Sequence, residues 1–324
     1  MKHRLLISVF SIGCLMAPSA WPQAAKTKSS YAPPKTPDGQ PDIQGVWNNA
    51  TISTMERPAE FGAKEFFTPQ EALAFEQKFA VEGDRDKRSA DKAVDVAGAY
   101  NQGWFDRGNK IVPSLRTSLI TEPRDGKIPY GEEGKKRLAA AAAYNSQHPA
   151  DGPEDLPLAV RCILWRTTGP PMLPGPYNSN YQVFQTPGYV VITSEMIHDT
   201  RVIPLDGSPH LPSNIRQWMG DSRGHWEGNT LVVDTTNFNG HPKFFGTTDK
   251  LHVTERFTRT SAEAITYEFT MEDPGTFSKP WSASYPLNRA EGPVYEYACH
   301  EGNYGMAGIL GGARLQEKQS ASKK

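Results

Sequence analysis

From about residue 160 onward, apolar and polar positions alternate in short runs, each closed by turn residues. Runs at 181–186, 189–193, 200–205, 230–235, 252–260, 264–271, 281–287 and 293–301 follow the period of two that sends successive side chains to opposite faces of a strand. Pro187-Gly188, Asp206-Gly207, Glu227-Gly228-Asn229 and Ser261-Ala262-Glu263 punctuate them. In 252–260 one face carries His252, Thr254, Arg256 and Thr258, and the other Val253, Glu255, Phe257 and Arg259. In 264–271 Ile265, Tyr267, Phe269 and Met271 form an apolar face. The gaps are too short for the crossover helices of a parallel sheet. The pattern therefore predicts a mainly β, antiparallel barrel or sandwich. In the last run Val294, Glu296, Ala298 and His300 share a face, so an acid and a base would sit in one cavity if that face points inward.

Residues 50–160 change the period. Thr68, Pro69 and Glu71 make a capping box with proline at the first helical position, and Ala72, Phe75 and Phe79 follow on one face. A second helix is predicted over 132–144, with Leu138 and an alanine run, closed by Asn145 and Pro149. Residues 21–40 read as a flexible, proline-rich linker. Residues 313–324 read as a disordered, lysine-ending tail. One β-rich domain over 41–312, with a helical insert at about 50–160, is the expected organisation.

The N-terminus adds a compartment. Lys2, His3 and Arg4 precede an uncharged apolar run from residue 5 to 17, and Pro18-Ser19-Ala20 offers small residues for cleavage. That is the layout of a secretory signal over residues 1–20, and it predicts a periplasmic or secreted protein. The alternative is a lipoprotein processed at Cys14. No later segment is apolar enough to span a membrane, so the mature form is expected to have no membrane span. Losing the signal removes Cys14 and leaves Cys162 and Cys299, which pair as a disulfide in an oxidising compartment. Metal ligation by Cys299 and His300 is the alternative, and no CxxC or HxxxH companion supports it. Acidic residues slightly outnumber basic ones, 36 to 35, and losing Lys2 and Arg4 widens the gap, so no nucleic-acid surface is expected.

The segment Gly220-Asp-Ser-Arg-Gly-His-Trp-Glu-Gly-Asn-Thr-Leu-Val-Val-Asp-Thr-Thr-Asn-Phe238 resembles a signature of secreted, mostly uncharacterised bacterial proteins. Segments 187–201, 251–259 and 292–304 are similar to the same group, so the resemblance runs from about Pro37 to Gly312. It implies export and one shared fold, with no common activity. Gly45-Val46-Trp47 is similar to the Gly-x-Trp that opens the first strand of a lipocalin, which implies a lipocalin-like barrel with an added helical segment.

Candidate chemistry follows. Glu296 and His300 are the preferred acid–base pair, because a histidine titrates near neutral pH and a carboxylate fixes its tautomer. His198 and Arg201, three residues apart at a strand junction, are the candidate electrophilic side, with a local Asp199–Arg201 ion pair as the alternative. Trp218, Asp221, Tyr267 and Trp281 are the candidate ligand-binding residues; core packing is the alternative for the aromatics. Gly220-Asp221-Ser222-Arg223-Gly224 matches the G-x-S-x-G nucleophile elbow, which needs a helix directly after it. No P-loop, dinucleotide fingerprint or HExxH motif is present. His210, His241 and His252 are too scattered to name a metal site, and no cofactor is called for. The reading that results is an exported, cofactor-free acid/base enzyme of isomerase or lyase type, acting on a small apolar or aromatic molecule in the barrel. The alternative is a periplasmic small-molecule binding or carrier protein, and a serine hydrolase using Ser222 comes third.

Overall fold

The structure is a computed structural model, and it describes residues 31–84, 86–98, 103 and 105–322. The expected signal segment, Cys14 and the first half of the expected linker, residues 21–30, lie outside the described residues. Ten strands form one antiparallel sheet: β1 (Gly45–Asn48), β2 (Ile120–Glu122), β3 (Asn180–Thr186), β4 (Tyr189–Ser194), β5 (Thr200–Pro204), β6 (Asp221–Glu227), β7 (Thr230–Thr236), β8 (His252–Arg259), β9 (Ala264–Glu272) and β10 (Trp281–Arg289). Their order is β5-β4-β3-β1-β10-β9-β8-β7-β6, and β2 pairs with the first half of β10. The two outermost strands, β5 and β6, come side by side, so the sheet curls into a nearly closed barrel. Gly224 makes that approach possible. A Cβ there would lie 2.6 Å from Leu205 Cδ2 and 2.9 Å from Ile203 Cγ2.

The expected alternation holds through the wall. Tyr267 stands opposite Tyr285 on one side and Phe257 on the other; Phe269 stands opposite Ala283 and Glu255. All six are buried, and the five other than Glu255 share one core with Trp47, Tyr181 and Trp281. A chain segment also enters the interior. Met172 and Leu173 are buried there, and Met172 is held by three side chains. Its N–H donates to Tyr267 Oη at 2.9 Å, and its carbonyl accepts Tyr285 Oη–H at 2.6 Å and Asn49 Nδ2–H at 2.9 Å.

The described residues also form four α-helices: α1 (Pro69–Glu82), α2 (Lys92–Gly98), α3 (Glu132–Gln147) and α4 (Tyr304–Ala321). The capping box of α1 forms as expected, with Thr68 and Glu71 each accepting the other's backbone N–H. Ala72 of α1 packs with Ile52, Phe67 and Ile111 in a second, smaller core.

Three expectations change. Residues 293–301 form no strand. β10 is already paired with β9 on one edge and with β1 and β2 on the other, while the outer edges of β5 and β6 face each other. The alternation there finds no open edge. Residues 221–227, absent from the predicted strand runs, form β6, joined to β7 by Gly228-Asn229 with Gly228 at φ +60°. Most of the expected tail is helical, because α4 runs to Ala321. Asn303 caps it by accepting the Met306 N–H, and Arg314 donates to the carbonyls of Ala150 and Asp151.

The two barrel ends differ. The tight turns at 187–188, 228–229 and 260–263 share one end. The longer connections at 195–199, 237–251 and 273–280, and the chain leading into β3, gather at the other. All the candidate chemistry below sits at or near that second end.

Candidate functional site

Within the barrel, Arg201 does not pair with Asp199. It reaches across to Glu255, Nη1 to Oε2 at 2.7 Å and Nη2 to Oε1 at 3.1 Å, with both side chains almost fully buried. Tyr267 donates to the same Glu255 Oε1 at 2.7 Å. Burial works against the Arg201 charge, and Glu255 more than offsets it, so the guanidinium stays protonated. Burial raises the Tyr267 hydroxyl well above its ordinary pKa, and Glu255 adds to this, so Tyr267 acts only as a neutral donor. Trp281 is core too, edge-on to Phe245, Phe269 and Phe277. Arg201, Tyr267 and Trp281 are thus brought together as the packed barrel interior.

Glu296 and His300 are exposed on the non-strand segment after β10, outside the barrel interior. The face they were expected to share does not exist, because the strand does not. Cys162 and Cys299 do form the disulfide, with Cα atoms 5.7 Å apart. Asn303 Nδ2 donates to the Val160 carbonyl at 2.8 Å beside it.

His198 is exposed, with Nδ1 3.3 Å from the Tyr297 carbonyl. It belongs to a strained turn. Ile197 has φ +58° and His198 φ +49°, a region a β-branched residue rarely enters. Buried Glu195 braces the turn: its two oxygens accept Asn178 Nδ2–H and Asn180 Nδ2–H, each at 2.6 Å. Asp199, next along, is pushed up to about 6 by desolvation, which His198 only partly offsets, and its Oδ2 is buried without a partner among the described residues.

Ser222 is the second residue of β6, its hydroxyl 2.9 Å from Thr235 Oγ1. A hairpin follows it in place of a helix, so the elbow geometry is not formed. Gly220 and Gly224 have structural reasons instead. Gly220 has φ +70°, and a Cβ there would lie 2.5 Å from the Thr236 carbonyl oxygen.

Asp221 belongs to a chain of acids and bases on the outer face of β6–β9. His210 Nδ1 is 2.9 Å from Asp221 Oδ2, and its Nε2 is 2.8 Å from Asp234 Oδ1. His252 Nε2 is 2.5 Å from Asp234 Oδ2. A neutral imidazole has one donor and one acceptor nitrogen. Both His210 nitrogens face carboxylate oxygens, so the ring bridges Asp221 and Asp234. Arg223 and the Leu211 N–H hold Asp221 from its other sides. No group of three or more His, Cys, Asp or Glu residues suited to a metal occurs among the described residues.

A cavity of about 400 Å³ opens between residues 158–173 and residues 241–245. Its walls are Leu158, Leu164, Leu173, Phe244 and Phe245, and Leu164, Leu173 and Phe244 belong to the main core. Arg166, His241 and Lys243 stand at its mouth, all exposed, and no carboxylate lines it. Trp218 packs against His241, ring centroids 5.3 Å apart, which places this one predicted ligand residue beside the cavity.

Alternation along strands could not reveal this cavity, because its lining comes from two irregular segments. The proline-rich 169–176 stretch and the His241-Pro242-Lys243-Phe244-Phe245 cluster were the available signals. Comparison with protein family models, curated proteins and solved structures finds no match to this chain.

Proposed function

We propose that the protein is an exported binding or carrier protein that holds a small apolar or aromatic molecule in the cavity at the plugged end of its barrel. One observation carries the reading: a cavity of about 400 Å³ with leucine and phenylalanine walls, within the size range of small-molecule sites. Met172, Leu173 and the buried tyrosines around them pack the barrel interior. The lipocalin-like Gly45-Val46-Trp47 start is in keeping with a barrel used for binding.

Ala159 lines the cavity, and Ala159→Trp is the direct test. The exported protein and the variant are compared by circular dichroism, by mass spectrometry of co-purifying small molecules, and by titration with an apolar naphthyl fluorophore. The expected result is a normal spectrum with loss of the retained molecule and of fluorophore binding. Equal retention by a normally folded Ala159→Trp variant contradicts the reading. Fractionation of cells carrying the chain with and without residues 1–20 tests the export signal.

A second reading, an acid/base enzyme of isomerase or lyase type, is favoured by Asp199. A carboxyl pushed up to about 6 beside an exposed histidine can exchange protons near neutral pH. It calls for substrate turnover that falls by at least about tenfold in Asp199→Asn. Turnover unchanged in that variant removes this reading.

A further inference from the structure

The walls of the cavity account for an apolar ligand, but its mouth has a separate chemistry. Arg166, His241 and Lys243 bring up to three positive charges to one opening of a chain whose acidic residues outnumber its basic ones. None of the ion pairs among the described residues involves any of the three. Elsewhere most arginines have found acceptors: Arg201 on Glu255, Arg256 on Glu227, Arg116 on Glu65, and Arg137 and Arg259 on backbone carbonyls. Arg166 is close enough to the barrel interior for its charge to act on the Tyr285 hydroxyl.

The loop around Lys243 is held in an unusual form. Lys243 has φ +42° and Phe245 φ +54°, two left-handed positions on either side of buried Phe244. Side chains other than glycine enter that region at a cost. Here the outcome is that Phe244 turns into the core while Lys243 stays at the mouth. Trp165, also on the lining, keeps its Nε1–H buried without an acceptor among the described residues. The indole N–H can only donate. An apolar floor, cations at the rim and a donor without an acceptor all complement one kind of molecule.

We infer that the ligand is an apolar molecule with a single carboxylate head, its body against Leu164, Leu173 and Phe244 and its head toward Arg166 and Lys243. This rests on the cavity reading above and adds the head-group class. Arginine and lysine give a carboxylate charge-assisted hydrogen bonds, and the planar arginine fork can hold both of its oxygens at once.

The test uses two pairs of probes matched in shape: 1-naphthylacetate against 2-(1-naphthyl)ethanol, and decanoate against decanol. Each is titrated by calorimetry into the mature protein and into the Arg166→Gln/Lys243→Gln double variant. Both substituted residues are exposed, and circular dichroism checks the fold. The expected result is at least about tenfold tighter binding of the carboxylate in each pair that binds, shrinking as salt is raised to about 0.5 M. The double variant is expected to lose about five- to tenfold in carboxylate affinity, more than it loses for the alcohol. Equal affinity for acid and alcohol overturns the head-group inference and leaves the cavity reading standing. Failure of all four probes to bind overturns the cavity reading, and the head group with it. The naphthyl pair against the decyl pair separates an aryl from an acyl body.

Discussion

A carboxyl group taken partly out of water ionises late, and Asp199 is the case in this protein. Its native pKa is about 6 against an ordinary 3.8, so between those values the folded state holds a proton that the unfolded state gives up. Stability that is fully present below pH 3.8 is then lost as the pH rises through 6. Solvent still reaches the group, so the ionised form costs about 1–2 kcal/mol at neutral pH, less than the full shift implies. Asp199→Asn is expected to be more stable than the natural protein by about that amount at pH 7.5, and no more stable near pH 4. Urea unfolding at the two pH values measures this, and a difference independent of pH would refute the account. Individual residues were the least legible level of the sequence. Arg201 and Glu255 are 54 positions apart, and their meeting follows from the closing of the barrel, which no local pattern encodes. Glu296 and His300 were chosen by alternation on a strand that has no edge to join. Trp218 was rightly set apart from the buried aromatics only once His241 was seen beside it.

Residues 205–220 illustrate what happens at the level of elements. They connect β5 to β6, two neighbours running the same way, and so must travel the length of the barrel outside β6 and β7. His210 fastens this strap between Asp221 and Asp234, and Asn237 Nδ2–H donates to the Leu211 carbonyl farther along it. Burial opposes ionisation of Asp234, but the hydrogen bonds from His252 and His210 win and lower its pKa. The same Asp234 contact raises His252, against desolvation. The Asp234 contribution is present above the ordinary carboxylate range and fades as the pH falls through its lowered pKa. The His252 contribution is present below about 6.5 and fades as the pH rises through its raised pKa. Both contributions are present together at about pH 4–6.5, and the strap itself meets Asp234 through His210. Asp234→Asn is expected to loosen it by about 1–2 kcal/mol. Amide hydrogen exchange confined to 205–220 would speed up in the variant, after correction for intrinsic rates. Unchanged protection of that segment would show that the strap is held by other contacts. Elements were legible where two local signals agreed. The capping box and apolar face gave α1, and alternation with a turn at each end gave β8 and β9. β6 was hidden because aspartate, glycine and glutamate are poor strand residues by composition, although its Gly228-Asn229 link to a clear strand is a hairpin signal.

At the scale of the molecule, one covalent link joins features the sheet does not connect. The Cys162–Cys299 disulfide closes a separation of 137 residues and ties the segment after β10 to the one that enters the barrel. Cross-linking so long a loop restricts the unfolded chain, an effect worth about 4–5 kcal/mol before native strain is subtracted. Its position matters as much as its size. Leu158, Ala159, Leu164 and Trp165 flank Cys162 in sequence and line the cavity, so the bridge anchors one cavity wall. No strand of the barrel contains either cysteine. Cys162→Ser/Cys299→Ser is therefore expected to keep the far-ultraviolet spectrum of the β-barrel, to melt well below the natural protein, and to bind the naphthyl probe more weakly. The loss of affinity should exceed that of Arg314→Gln, which loosens α4 from Ala150 and Asp151 without touching the wall. Calorimetry on the three proteins decides it. If the disulfide variant loses stability but keeps full affinity, the bridge serves the fold alone and the wall stands by packing. If affinity and stability fall together, Cys162 and Cys299 are part of how the cavity is built.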